Sequence, residues 1–193
     1  MNSRKLLLPF AALLMVPTLA HAHGGAGVSG GFLHGMSHPL SGLDHICAML
    51  AVGLWAAQMG GRSIWAVPLA FVSVMTFGGV LGMIGINLPF VEQGIVASVI
   101  LLGVFIAAAV RLPLAASMII VGLFALCHGH AHGAEMPGTV SGFVYAAGFV
   151  LATAFLHVAG IGLGIGLQKL ATARLVRLAG VAVALCGASL WLL

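Results

Sequence analysis

The sequence predicts an all-α membrane protein with about six transmembrane helices, and three observations support this. Apolar residues make up 62% of the 193 positions and charged residues only 5%, whereas a soluble domain carries roughly 25% charged residues on its surface. Apolar stretches close to the length that crosses a bilayer follow one another along the chain, with short Gly- or Pro-containing connections between them. The 28 glycines favour close approach of helices in lipid, which supplies little hydrophobic drive for association.

The first 22 residues have the three parts of a secretory signal peptide. Arg4 and Lys5 give a positive start, residues 6–19 form a short apolar core, and Ala20-His21-Ala22 is a typical cleavage site. We expect cleavage after Ala22, which makes His23 the mature N-terminus. The alternative is an uncleaved first helix. The amine and imidazole of His23 would suit a metal-binding arm, although a solvated tail explains them equally well.

Residues 23–193 are predicted to form one domain of six membrane helices. The apolar stretches run approximately over residues 31–59, 63–86, 91–110, 113–130, 138–166 and 172–192. All basic residues after the leader fall in alternate loops, which places them on one side of the bilayer: Arg62, Arg111, Lys169, Arg174 and Arg177. Because basic loops stay in the cytoplasm, the pattern predicts that both termini of the mature chain face outward.

The first predicted helix carries three histidines and an aspartate, although ionisable groups inside membrane segments are rare and usually functional. His34, His38 and His45 would lie within ~40° of one another on an ideal helix, with Asp44 on an adjoining face. Pro39 complicates this, since it either kinks the helix or marks its true start.

A second polar cluster ends the fourth predicted helix. His128, His132 and Glu135 would share one helical face, and His130 would point elsewhere. Cys127 precedes this cluster, and the other two cysteines, Cys47 and Cys186, also lie in or beside apolar stretches. We expect the three cysteines to act as small buried hydrophobes and not as a disulfide framework.

His157 stands alone in the fifth predicted helix. A single histidine on an apolar helix is more often satisfied by a neighbouring hydroxyl or carbonyl than by a metal ion, but two other histidine clusters raise the chance of metal binding. The predicted topology places the first two clusters in the outer half of the bilayer and His157 near its middle, so we expect all three groups to converge at similar depth.

Several histidines with one or two carboxylates favour a borderline divalent cation. Neutral imidazole suits nickel, cobalt, zinc and copper, whereas calcium and magnesium would need more oxygen ligands than this chain offers. Spacing alone does not separate the borderline metals. The sequence contains no GxxxxGK[ST] phosphate-binding loop and no basic stripe, so neither ATP hydrolysis by that route nor a nucleic-acid partner is expected.

Two motifs resemble those of the HupE/UreJ family, and the likeness extends over the whole chain. The first is His38-(five residues)-Asp44-His45, continued by the segment from Ala48 to Ala57. The second runs from His128 to Glu135, where Cys127 replaces a phenylalanine that is common in the family. The resemblance implies a metal-binding set that consists of His38, Asp44, His45, His128, His132 and Glu135. His34, His157, His23 and His130 are candidate additional ligands.

The resemblance also implies a nickel, or sometimes cobalt, permease of the bacterial inner membrane that serves hydrogenase or urease maturation. Such a protein is not an enzyme, moves its metal by secondary or facilitated transport without an ATPase subunit, and holds no permanent cofactor. Two alternatives remain at the level of sequence. One is a membrane sensor or receptor that binds metal without flux, and the other is a membrane cytochrome with haem held by histidines from two helices.

Overall fold

The computed structural model describes residues 28–170 and 173–192, and within these ranges the regular structure is helical throughout. The predicted signal peptide and the predicted metal-binding arm at His23 lie outside the described residues. A short 3-10 turn covers His38–Leu40, and seven α-helices surround it in the chain: α1 (Val28–Ser37), α2 (Leu43–Met59), α3 (Ser63–Met83), α4 (Val91–Ala108), α5 (Leu114–Ala134), α6 (Gly142–Leu170) and α7 (Ala173–Trp191).

Five of these helices, α3 to α7, are long and apolar enough to cross a membrane, and a sixth span results if α1 and α2 are taken together. The predicted count of about six agrees with this. The first predicted span is not one straight helix, however, because the chain bends by 77° between the segment that ends at Leu40 and α2. Pro39 occupies the start of the 3-10 turn, where its missing N–H costs nothing, and Gly42 is extended just before α2.

The bend corrects the expected geometry of the first histidine cluster. His34 belongs to α1, His38 to the 3-10 turn and His45 to the first turn of α2, so the three do not share a face of one continuous helix. Their side chains nevertheless lie on the same side of the bundle, because α1 folds back against α6 while α2 enters the core.

The second histidine cluster lies entirely within a helix. The apolar stretch predicted over residues 113–130 continues as α5 to Ala134, and the Glu135 N–H bonds the Ala131 carbonyl at 3.1 Å. His128, His132 and Glu135 therefore keep helical spacing, as expected. The 29 residues of α6 would extend about 43 Å at 1.5 Å per residue, which exceeds the ~30 Å apolar core of a bilayer.

The basic residues gather at one end of the bundle. The Trp55 indole N–H, near the end of α2, donates to the Val110 carbonyl at 3.0 Å. At the start of α7, the Arg177 Nε donates to the Ala107 carbonyl at 2.7 Å. These bonds hold the end of α2, the end of α4 and the start of α7 together, and every basic residue after position 22 lies at or beside this end of the helices.

Glycines bring three sets of helices into backbone contact. The most extensive helix contacts are those of α3 with α5, α4 with α7, and α6 with both α1 and α2. At each of these interfaces, a Cβ atom added to a glycine would overlap the backbone of the opposing helix. An added Cβ would meet the Met75 carbonyl at Gly129 on α5, the Ala107 N–H at Gly180 on α7, and the His157 carbonyl at Gly53 on α2. Small residues at close helix crossings are typical of membrane bundles.

Candidate metal centre

The polar side chains of the bundle converge at the end opposite the basic residues. The 3-10 turn, the first turn of α2 and the last two turns of α5 meet there, and α6 covers them. Four imidazoles and one carboxylate lie within two overlapping triads of candidate ligand atoms, in each of which the atoms are within 4.8 Å of one another. The convergence that topology predicted is therefore present for both main clusters.

The outer triad consists of His38, His132 and Glu135. The Nε2 of His38 lies 2.9 Å from the Glu135 Oε2, and the same oxygen lies 3.6 Å from the Nδ1 of His132. The side chains of His38 and Glu135 are 22% and 59% exposed, so this triad opens at the end of the bundle. A carboxylate at this open position would compensate the charge of a cation at the point where the cation leaves water.

The inner triad consists of His45, His128 and His132. His45 and His128 are fully buried, and their rings meet edge to face with centroids 5.3 Å apart. The Nε2 of His132 lies 3.1 Å from the Nδ1 of His45. Two imidazole nitrogens that are each about 2.1 Å from one ion lie roughly 3.0–3.4 Å apart, so this spacing suits neighbouring ligands of a single cation.

The hydrogen bonds behind His128 determine which of its nitrogens is free. The Ser98 hydroxyl donates to the Ile95 carbonyl at 2.6 Å, so its oxygen must accept the bond from the His128 Nε2, which is 2.9 Å away. The proton of the neutral ring is therefore on Nε2. The Nδ1 lone pair is buried without a hydrogen-bond partner, an arrangement that is costly unless a cation binds there.

Thr153 on α6 is placed behind His45 as Ser98 is placed behind His128. Its hydroxyl oxygen lies 3.3 Å from the His45 Nε2 and is fully buried. When the Nδ1 of His45 faces a cation, the proton of the ring is on Nε2 and is donated to Thr153. Such partners orient metal-binding imidazoles and fix their tautomers.

His132 borders both triads with a different nitrogen on each side. Its Nδ1 faces Glu135 and its Nε2 faces His45. The ring also lies 4.8 Å, centroid to centroid, from the rings of both His38 and His45. One side chain therefore connects the exposed triad with the buried triad.

His157 lies one helical turn beyond Thr153 along α6, away from the open end. It is 2% exposed, and both of its ring nitrogens are buried without a hydrogen-bond partner. The ring of Phe71 contacts both His157 and His128, at centroid distances of 5.3 and 5.9 Å. His157 is outside both triads, but the expected hydroxyl or carbonyl partner is not found among the described residues.

The remaining candidate ligands among the described residues lie outside both triads. His130 donates from Nε2 to the Ile86 carbonyl at 2.6 Å and thereby fixes the chain after α3. His34 is exposed on α1, with its ring 5.9 Å from that of His38. The Asp44 Oδ1 accepts the backbone N–H of His45 at 2.7 Å, so Asp44 contacts the helix start and belongs to neither triad.

Ser98 and Thr153 are the partners that the sequence did not identify as part of the site. Neither residue belongs to the two histidine clusters of the sequence. The available signal was their rarity, since each is a hydroxyl residue in a strongly apolar helix, and Thr153 precedes His157 by one turn. Their pairing with particular histidines depends on how α4 and α6 pack against the other helices. The spacing of residues along a single helix does not predict that packing.

A groove of about 520 Å³ between α3, α5 and α6 also reaches His132. Its walls are almost entirely apolar and include Met75, Met83, Phe143 and Val150. A hydrated cation would lose its water there without gaining ligands. The exposed end at His38 and Glu135 is therefore the better entrance for an ion.

These features define a class of protein: a multi-pass membrane protein with a buried imidazole cluster suited to a divalent cation. The chain belongs to the HupE/UreJ family, since the family model described as HupE / UreJ protein matches residues 11–190. It is 50% identical over 179 residues to Protein HupE of Rhizobium leguminosarum bv. viciae, and the match covers 93% of each chain. No solved structure matches the chain. The family likeness predicted from the two motifs is confirmed, and its members are permease-type accessory proteins and not enzymes.

Proposed function

We propose that this protein is a secondary or facilitated transporter that carries nickel, or cobalt, into the cytoplasm. The observation that supports this most directly is the pair of triads that share His132, one open to solvent and one buried. A binding protein without flux needs only one such site. Two sites at successive depths, joined by a common ligand, suit an ion that moves.

In this mechanism the cation first binds at His38, Glu135 and the Nδ1 side of His132. It then passes around the His132 ring to the Nε2 side, where His45 and the free Nδ1 of His128 complete its ligand set. The His132 ring stays next to the cation throughout this step. The cation therefore does not enter an apolar region without a ligand, which would carry a large free-energy cost. The two positions are occupied in turn, because two divalent charges on one imidazole would repel.

His157 is the proposed next ligand on the path. Its two unpartnered nitrogens are buried one helical turn beyond Thr153, and the Phe71 ring contacts the rings of both His157 and His128. Beyond it, the described residues of the bundle core are mainly apolar, with Trp55, Leu102 and Val52 fully enclosed. This arrangement corresponds to a state that is open at the histidine end and closed at the basic end.

The chemistry of the ligands supports a borderline metal. Imidazole nitrogens dominate both triads, with a single carboxylate at the entrance and no thiolate in either. Nickel and cobalt accept such sets, and the Irving–Williams order favours nickel over cobalt. The proposed role is supply of metal for hydrogenase or urease, the accessory role with which the HupE/UreJ family is associated.

A haem protein is less compatible with the observed packing. The rings of His38, His45, His128 and His132 contact one another edge to face, and Phe149 fills the space beside His45 and His132. A haem would need a flat apolar slot between two opposed imidazoles. Absence of a Soret band in protein purified from haem-replete cells is the expected result.

The proposed location is the bacterial inner membrane, with the histidine end facing outward. The clustering of basic residues at the other end supports this orientation through the positive-inside rule. Alkaline phosphatase fused after the last residue should be active, whereas the same reporter fused at Arg111 should be inactive. The opposite pattern would reverse the proposed direction of transport.

Nickel uptake in a cell that lacks other nickel transporters tests the proposal. Wild type should restore uptake, His132→Ala should abolish it, and His38→Ala and His45→Ala should each reduce it strongly at matched membrane abundance. His34→Ala is the matched control, because it removes an exposed imidazole outside both triads and should leave uptake near the wild-type rate.

Purified protein in sealed vesicles separates transport from binding. Metal bound by the protein without entry into the vesicle lumen would support the sensor alternative and overturn the transporter proposal. Entry of cobalt or zinc in preference to nickel would keep the transport mechanism and change its substrate.

A further inference from the structure

Cys47 on α2 and Cys186 on α7 lie side by side, although 139 positions separate them in the chain. Their Sγ atoms are 3.3 Å apart, and both side chains are partly buried between the two helices. Cys127 lies apart from them on α5, where its sulfur approaches Gly94 of α4. Two of the three cysteines therefore form a pair that nothing in their sequence spacing indicates.

The pair does not have the composition of a metal site. The groups of three close ligand atoms found among the described residues include neither sulfur, and the nearby Asp44 uses its Oδ1 on the backbone of His45. Two thiols without a third ligand are poorly suited to the divalent ions that the imidazoles favour. A disulfide needs no third group.

The position of the pair suits oxidation. Cys47 begins the second turn of α2, and Cys186 is five residues from the end of α7, about 8 Å along the helix. Both are near the end of the bundle that carries Glu135. If that end faces outward, as proposed above, the thiols lie close to an oxidising compartment, where disulfides persist.

We propose that Cys47 and Cys186 form a reversible disulfide that ties α7 to α2. The sulfurs need to approach by about 1.3 Å to reach the bond length of about 2.05 Å, a distance that small side-chain rotations can supply. α7 packs mainly against α4 and contacts α2 less extensively. The bond would therefore hold a weak interface covalently, two residues from the metal-site residue His45.

The reaction is a thiol–disulfide exchange with a disulfide oxidant, such as oxidised glutathione or a thiol oxidoreductase. One cysteine thiolate attacks the oxidant's disulfide and forms a mixed disulfide, releasing the first thiol. The second cysteine then attacks the sulfur of the first and releases the second thiol. The two cysteines lose two electrons and two protons in total, and the oxidant's disulfide becomes two thiols.

Counting thiols in the full-length protein tests this proposal without any measurement of transport. The Cys127→Ser variant, which retains only the pair, is incubated with oxidised glutathione, denatured, and labelled with a maleimide that shifts its gel mobility. We expect two labels before oxidation, none after it, and two again after dithiothreitol. Mass spectrometry should detect a linked peptide that contains Cys47 and Cys186.

Two double variants provide the controls. Cys47→Ser/Cys127→Ser and Cys127→Ser/Cys186→Ser should each keep their single label after the same treatment. Oxidation should raise the Tm of the Cys127→Ser protein and leave that of both double variants unchanged, because a cross-link over this long separation constrains the unfolded chain. Retention of both labels in Cys127→Ser after oxidation, or an equal loss of label in the double variants, would overturn the proposal.

Discussion

The free nitrogen of His128 depends on a serine from another helix. Ser98 uses its own proton on the Ile95 carbonyl and therefore accepts the proton of the His128 Nε2. The imidazole is held in the tautomer that leaves the buried Nδ1 lone pair without a hydrogen-bond partner. In the absence of this partner, the ring can rotate or change tautomer, and the inner triad loses its fixed geometry.

We expect Ser98→Ala to weaken nickel binding while the protein still folds. Loss of the hydrogen-bond partner of a metal-binding imidazole typically costs roughly 10–100-fold in affinity. Ser98→Thr retains the hydroxyl and should recover most of the affinity if its methyl group is accommodated. Isothermal titration with nickel measures the effect, and an unchanged affinity in Ser98→Ala would show that Ser98 does not position His128.

Uptake should weaken as the outside pH falls below about 6. Imidazole binds metal only when neutral, and free histidine has a pKa of about 6.5, so protons compete with the metal ion for imidazole ligands in this range. The measurement is the initial rate of nickel entry into vesicles at fixed internal pH, with an ionophore present to remove the proton gradient. A rate that does not change with pH would count against imidazole ligation at the entrance.

At the scale of elements, the closest packing is that of α3 against α5. The backbone of Gly129 lies against the Met75 carbonyl, and Gly133 lies against that of Gly79. Because backbone atoms face each other directly, neither helix can give way by moving a flexible side chain. The histidines of α5 are therefore held at a fixed height relative to α3.

Gly129→Val should force α3 and α5 apart and lower the free energy of unfolding by about 1–3 kcal/mol or more, as overpacked sites do. The matched control is Gly162→Ala on α6, where an added Cβ meets nothing within 4 Å. Thermal unfolding in detergent compares the two. A Tm for Gly129→Val equal to that of the control would mean that the two helices are less tightly joined than described.

Hydropathy and length predicted the helices well because each is an almost uninterrupted apolar segment between Gly or Pro connections. The first span was the exception. Pro39 indicated a kink or a helix start, but the size of the bend depends on where α1 packs against α6, through contacts such as that of Gly35 with the Tyr145 carbonyl. Such contacts between distant segments are not encoded in the local pattern.

At the scale of the whole molecule, charge was informative because it acts over entire loops. The alternation of basic and non-basic connections predicted which ends of the helices lie together, and the bonds of Trp55 and Arg177 confirm that grouping. The same reasoning predicted that the histidine clusters meet at one depth. It could not predict the contact of Cys47 with Cys186, which depends on the rotation of α2 and α7 about their own axes.

The glycine contacts have a further consequence for how the proposed transporter would release its ion. They connect α1 and α2 to α6, and α3 to α5, through backbone contacts, and the boundary between these two groups of helices passes through the metal centre. His38 and His45 are on one side of it, and His128, His132 and Glu135 are on the other.

We expect spin-label distances between α2 and α5 to change when nickel binds, while distances between α3 and α5 stay constant. Equal changes in both distances would refute this. Separation of the two groups of helices by a few ångströms would then remove from the ion the ligands of one group. The ion would be released without the unfolding of any helix.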